Sequence, residues 1–113
     1  MITWVGLASN CYSAINAYIE HLSVGHYKIM INISGQGPRT FILEVYLPHG
    51  THLKEATPPP INSNKFGTIK WILSSSNRKN IIVSITLNKE SNIKSLLKYR
   101  DPSTKRIITI YLK

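Results

Sequence analysis

The chain has few acidic residues, a single cysteine and no long apolar run. Its 113 residues include 5 aspartates and glutamates against 14 lysines and arginines, which gives a formal net charge of +9. Cys11 has no second cysteine with which to form an internal disulfide. No stretch approaches the roughly 18 consecutive apolar residues of a membrane-spanning helix. These absences exclude a disulfide scaffold and predict no integral membrane segment.

The marks of an active site are also scarce. So few carboxyl groups leave little for the paired-carboxylate chemistry of many hydrolases. The segment Gly35-Gln36-Gly37 leads into a proline and a strand, whereas a phosphate-binding loop leads into a helix. A nucleophilic cysteine needs a neighbouring base, and no spacing in the sequence identifies one for Cys11. We therefore expect no catalytic residue and a protein that is not an enzyme.

The histidines fall into two pairs, each beside a predicted turn. His21 and His26 form one pair, and His49 and His52 form the other. A zinc site needs three or four converging ligands, and the sequence places few carboxylates and no cysteine near either pair. The sequence therefore predicts neither a metal site nor another cofactor.

The dominant pattern in the chain is the alternation of apolar and polar residues. Tyr27, Ile29, Ile31 and Ile33 occupy every second position of one segment, which is typical of a half-buried strand. Clusters of Gly, Pro, Asn and Ser, which favour turns, separate further segments of this kind. The predicted strands are 26–34, 40–47, 68–73, 80–87, 93–100 and 106–112, with a shorter one at 52–56. The pattern predicts an all-β protein, an immunoglobulin-like β-sandwich of about seven or eight strands in a single domain over residues 1–113.

The start of the chain is ambiguous between a helix and a strand. Ile15, Ile19 and Leu22 have helical spacing, whereas Ile15, Ala17 and Ile19 also alternate as they would in a strand. The bend expected at 23–25 resembles a connection between two strands, so we favour a strand here.

The inward-facing positions of these strands give a predicted core. Trp71 lies between Ile69 and Leu73 on an alternating strand, so its ring is expected in the core rather than at a binding site. The prolines at 58–60 cannot donate to a β-ladder, so they are expected at an edge or in a loop. The predicted core residues are Tyr27, Ile29, Ile31, Leu43, Val45, Trp71, Ile81, Val83 and Ile85.

Basic residues are concentrated in the last strands, which are predicted to form a hairpin around a turn at 101–104. Cations interleaved with aromatic residues bind single-stranded nucleic acids without sequence specificity, and Tyr99 and Tyr111 lie among these cations. Alternation along the strands of a hairpin would divide these cations between two faces, which weakens the case for a binding surface. A net positive charge also has a simpler explanation, since it promotes solubility. The candidate residues for binding a polyanion are Lys94, Lys98, Arg100, Lys105 and Arg106.

Several turn and strand motifs follow one another between residues 27 and 87. A glycine turn at 35–38 precedes Leu47-Pro48-His49-Gly50, then Ala56-Thr57-Pro58, and then Gly67-Thr68-Ile69-Lys70-Trp71. In this order they resemble an immunoglobulin-like repeat domain of prokaryotic surface proteins, known as domain of unknown function eleven. The resemblance implies a sandwich fold and an extracytoplasmic spacer, adhesive module or filament part, with no catalytic residues.

These observations predict a non-enzymatic structural or protein-interaction module of a cell surface, a filament or a virion. Its partner is another protein or a second copy of the chain, since an exposed edge strand can accept a strand from another molecule. The segment 1–7 or the C-terminal hairpin is the predicted donor or acceptor. The alternative is a small nucleic-acid-binding protein that uses the C-terminal hairpin. Residues 1–5 show no secretion signal, so a surface location, implied by the resemblance, and a cytoplasmic location both stay open.

Overall fold

The computed structural model of the chain describes residues 14–34, 38–61, 67–75, 79–101 and 104–112. Within these residues the chain forms β-strands and no helix. The strands are β1 (Ala14–Ser23), β2 (His26–Ser34), β3 (Thr40–Tyr46), β4 (Leu53–Thr57), β5 (Thr68–Ser74), β6 (Asn80–Leu87), β7 (Lys94–Arg100) and β8 (Ile107–Leu112). Each strand predicted from alternation is present, with its ends shifted by at most one residue, and the all-β prediction is confirmed.

The strands form two antiparallel sheets. One has the order β1-β2-β6-β4 and the other the order β5-β3-β7-β8. The first sheet matches the A-B-E-D order of an immunoglobulin domain, and β3, β7 and β8 take the places of strands C, F and G. Strand β5 adds a fourth member beside β3. The predicted immunoglobulin-like β-sandwich is therefore confirmed.

The start of the described chain is a strand, as favoured above, and not a helix. Strand β1 pairs with β2 along nearly its whole length, with an irregularity between His21 and Ser23. Ile15, Ala17 and Ile19 are half-buried against the core. The alternating strand β2 offers β1 a continuous row of backbone partners, which outweighs the weak helical spacing.

The core lies between the two sheets, where their inner faces pack together. The inward residues of β2, β3, β5 and β6 are buried at every second position. Trp71 is 1% exposed, and its Nε1–H donates a 2.8 Å hydrogen bond to the carbonyl oxygen of Pro58. The predicted core residues are all buried: Tyr27, Ile29, Ile31, Leu43, Val45, Trp71, Ile81, Val83 and Ile85.

The predicted C-terminal hairpin is confirmed by the antiparallel pairing of β7 with β8. Residues 102 and 103 of the predicted turn lie outside the described residues. At the ends of this turn, the Asp101 N–H donates to the Arg106 carbonyl and the Lys105 N–H donates to the Asp101 carbonyl, both at 2.8 Å. Lys105 has a φ of +65°, as expected for the left-handed residue that closes many hairpin loops.

Candidate interaction surfaces

Strand β7 holds three of the predicted polyanion-binding residues on one side of the sandwich. Lys94, Lys98 and Arg100 occupy even-numbered positions, and the fully buried Leu97 lies between them on the opposite side. Side chains two apart on a strand share a face, so all three point outward. The expected division of the cations between two faces is therefore wrong for β7.

The other two predicted cations lie at one end of this surface. Lys105 and Arg106 are exposed between β7 and β8. Lys70, which was not predicted, also faces outward because it lies between the buried Ile69 and Trp71. The alternation in the sequence predicts that Lys70 faces outward, but it does not predict that Lys70 lies in the same sheet as β7. We call the outward-facing side chains of the β5-β3-β7-β8 sheet the basic face.

Glu44 on β3 is the acidic residue of the basic face. Its Oε2 lies 3.9 Å from the Lys98 Nζ, and its Oε1 accepts a 2.6 Å hydrogen bond from the Tyr46 hydroxyl. This hydrogen bond to Glu44 is the main cause that raises the pKa of Tyr46, because the protonated phenol is the donor. One carboxylate against several cations leaves the basic face positively charged.

Large apolar and aromatic side chains lie among these cations. Tyr111 on β8 is 77% exposed and is the register partner of Leu96 on β7. Leu96 points outward and is nevertheless buried, which accounts for the broken alternation of β7. Ile72 and Ile107 are also more than half exposed. The basic face therefore offers apolar contacts as well as charge.

A groove of about 500 Å³ borders the basic face at the β8 end of the sheet. Lys94 and Tyr111 line it together with the buried Ile93, Ser95 and Leu112. The groove is mainly apolar, and it is continuous with the exposed ring of Tyr111.

The sheet edges at β4 and β5 are protected. Strand β4 is short, carries Lys54 and Glu55, and is followed by three prolines. The Ile61 N–H donates a 2.9 Å hydrogen bond to the carbonyl of Lys70, so the segment after β4 pairs with the edge of β5. Short, charged or covered edges resist pairing with other chains.

The opposite side of the sandwich has the less protected edges β1 and β8. Strand β1 has ten residues without proline or lysine, and β8 has neither proline nor a charged residue. The two strands contact each other although they belong to different sheets. Ile15, Ala17 and Ile19 of β1 and Ile110 of β8 are only partly buried against the core. As far as the described residues extend, this side therefore presents backbone and apolar surface to another strand.

A hydrogen-bonded cluster ties the loop after β6 to the turn between β1 and β2. The Oε1 of Glu90 accepts from the Gly25 N–H at 3.1 Å and lies 2.9 Å from the His21 Nε2. The His21 ring stacks on Tyr27, whose hydroxyl donates to the Ser91 carbonyl at 2.7 Å. These contacts give His21 and Glu90 a structural role in the fold.

The pH dependence of stability should report on Glu90. The hydrogen bond from the Gly25 N–H, helped by His21, lowers the pKa of Glu90. Because its pKa is lowered, ionised Glu90 stabilises the fold at pH values above the ordinary glutamate pKa. This stabilisation is lost as the pH falls through the folded-state pKa. Urea unfolding from neutral pH down to pH 3 should show the stability advantage of wild type over Glu90→Gln shrinking below about pH 4.3. Glu55→Gln, at an exposed position on β4, is the control; equal pH profiles for both variants would contradict the prediction.

The described residues contain no group of three or more His, Cys, Asp or Glu side chains that could hold a metal ion. Cys11 lies outside the described part of the chain. Nor do the described residues include a helix long and apolar enough to cross a membrane.

Comparison with known proteins yields a structural match. No protein-family model matches the chain, and no curated protein matches it either. The solution structure of the chitin-binding domain of a hyperthermophilic chitinase from Pyrococcus furiosus is similar, with a TM-score of 0.51 and 12% sequence identity. The match covers 86% of this chain and 92% of that domain. At this identity the likeness shows the fold alone, and the resemblance to the surface-protein repeat stays a prediction.

Proposed function

We propose that the chain is a non-enzymatic structural or interaction module of a cell surface, a filament or a virion. In this proposal it joins other copies of itself by adding strands at the side formed by β1 and β8. The resemblance to a repeat domain of surface proteins supports the location. The similar fold of a domain that is named for binding chitin, and not for catalysis, supports a binding module.

The observation that carries the proposal is the unequal protection of the four sheet edges. Prolines, charges and a paired segment protect β4 and β5, whereas β1 has ten residues, no proline and one acidic residue, Glu20, which lies 3.9 Å from Lys28. An edge of this kind is a template for strand addition, in which backbone hydrogen bonds supply affinity and side-chain pockets supply specificity. The partly buried Ile15 and Ile19 would gain further burial from an added strand.

A charge placed on β1 tests the proposal. Ala17→Lys points a cation toward the partly buried side of β1, which is one way in which natural edge strands resist pairing. We expect wild type to associate as its concentration rises from micromolar to millimolar in sedimentation velocity, and Ala17→Lys to remain monomeric. Association should strengthen with salt, because salt screens the repulsion between copies with a net charge of +9.

The matched control is Ala56→Lys, which places the same charge on the protected edge strand β4. Ala56 is also partly buried against the core, so both variants carry a similar cost of burying a lysine. Ala56→Lys should associate like wild type. A wild-type protein that is monomeric throughout the range, or an equal loss in both variants, would refute assembly through β1.

A further inference from the structure

We propose that the basic face binds single-stranded nucleic acid, with the cations of β7 on phosphates of one strand and Tyr111 stacked against a base. This inference does not rest on the proposed function, because it uses the face of one sheet and not the edges of the sandwich.

The charge of the basic face differs from that of the other outer face. Among the described residues, the basic face carries four cations, Lys70 and the three of β7, against one acidic residue, Glu44. On the outer face of the other sheet, the Lys28 Nζ lies 3.9 Å from a carboxylate oxygen of Glu20. Because cations outnumber acidic residues on the basic face, whereas the other outer face pairs Lys28 with Glu20, a polyanion would be drawn to the basic face rather than to the other.

The spacing of the β7 cations suits an extended chain of charges. A strand rises about 3.3 Å per residue, so Lys94 and Lys98 lie about 13 Å apart along β7, and Lys98 and Arg100 about 7 Å apart. The Arg100 Nη1 donates a 3.3 Å hydrogen bond to the carbonyl of Lys105, which holds the guanidinium at the end of this row. A nucleic acid strand along β7 would meet the three cations in turn.

The exposed tyrosine favours a single strand over a duplex. Tyr111 presents an open ring on the strand next to these cations, and the apolar groove continues from it. Unpaired bases can stack on such a ring, whereas the bases of a duplex are already stacked on each other. The described part of the face also offers no helix to enter the major groove of a duplex.

Binding of a fluorescently labelled oligothymidylate tests the inference by its salt dependence. Each phosphate neutralised on a single strand contributes about −0.7 to the slope of log K against log salt. The triple variant Lys94→Gln, Lys98→Gln, Arg100→Gln should therefore flatten the slope by about 2 between 50 and 200 mM salt. The control replaces Lys28, Lys54 and Lys89 by glutamine, which changes the net charge equally but leaves the basic face intact; it should flatten the slope by less than half as much.

The stacking contribution is tested by Tyr111→Ala. Stacking on one base is worth roughly 1–3 kcal/mol, so binding should weaken by about fivefold to 150-fold. Tyr18→Ala, which removes a partly exposed tyrosine from the opposite outer face, should bind like wild type. Equal salt slopes for the two triple variants, or unchanged binding by Tyr111→Ala, would overturn the inference. Equal affinity for a duplex or for heparin, with the same loss in Tyr111→Ala, would also overturn it, in favour of a general polyanion site.

Discussion

Replacing Trp71 by alanine is expected to destabilise the fold by about 3–5 kcal/mol, as for other large aromatic residues in protein cores. The ring is 1% exposed and packs between the sheets, so its loss removes buried apolar surface and leaves a cavity. The variant also loses the 2.8 Å hydrogen bond from Nε1 to Pro58, which ties the proline segment to β5. Because small domains have about 5–15 kcal/mol of total stability, Trp71→Ala should leave a marginal fold.

Urea unfolding separates this effect from a change in the unfolded state. The urea concentration at the midpoint of unfolding should fall. The m-value should stay constant, since it reports the surface exposed on unfolding. The control is Ile72→Ala, next to Trp71 but with its side chain 54% exposed on the basic face. It should cost less than about 1 kcal/mol, because its surroundings already include water. A cost of the same small size for Trp71→Ala would contradict its position in the core.

Gly25→Ala is also expected to destabilise the fold strongly, because Gly25 combines a left-handed backbone with a close approach to another strand. Its φ is +75°, and a Cβ at this position would lie 2.9 Å from the backbone oxygen of Leu87. The Gly25 carbonyl also accepts a 2.8 Å hydrogen bond from the Leu87 N–H. The left-handed conformation costs about 1–2 kcal/mol, and the shift that relieves the clash should weaken this bond, so we expect about 2–3 kcal/mol in total.

Gly67→Ala isolates the part of this cost that comes from the clash. Gly67 has a similar φ of +71°, but among the described residues no atom lies within 4 Å of a Cβ built there. We therefore expect the conformational cost alone, about 1–2 kcal/mol. Urea unfolding of both variants should place Gly25→Ala below Gly67→Ala in stability. The reverse order would show that the contact between Gly25 and Leu87 has little energetic importance.

The strands and the core could be predicted from the sequence because their signal is local. Alternation along β2 and β6 is strong, and one buried face per strand is enough to generate it. The same kind of alternation places Trp71 in the core, without knowledge of the strands that pair with β5. The start of the chain was harder, since Ile15, Ile19 and Leu22 fit a helix as well, and pairing with β2 decided the outcome.

The surfaces could be predicted only in part, because each depends on which strands share a sheet. Tyr46 and Lys94 face each other in the register of β3 with β7, although they lie far apart in sequence. No local pattern encodes that pairing, so the presence of Lys70 and Glu44 on the face of β7 could not be foreseen. The protection of β5 likewise depends on the return of Ile61 to Lys70.

Local patterns in the sequence are enough to predict a basic, all-β protein whose strands each bury one face. Period-two alternation encodes which side of a strand is buried, and this is a property of neighbouring residues. Strand pairing places Tyr111 on the same face as Lys94, Lys98 and Arg100, and the packing of the two sheets brings the least protected edges, β1 and β8, side by side. Both are consequences of pairings between distant strands, which residue spacing does not specify.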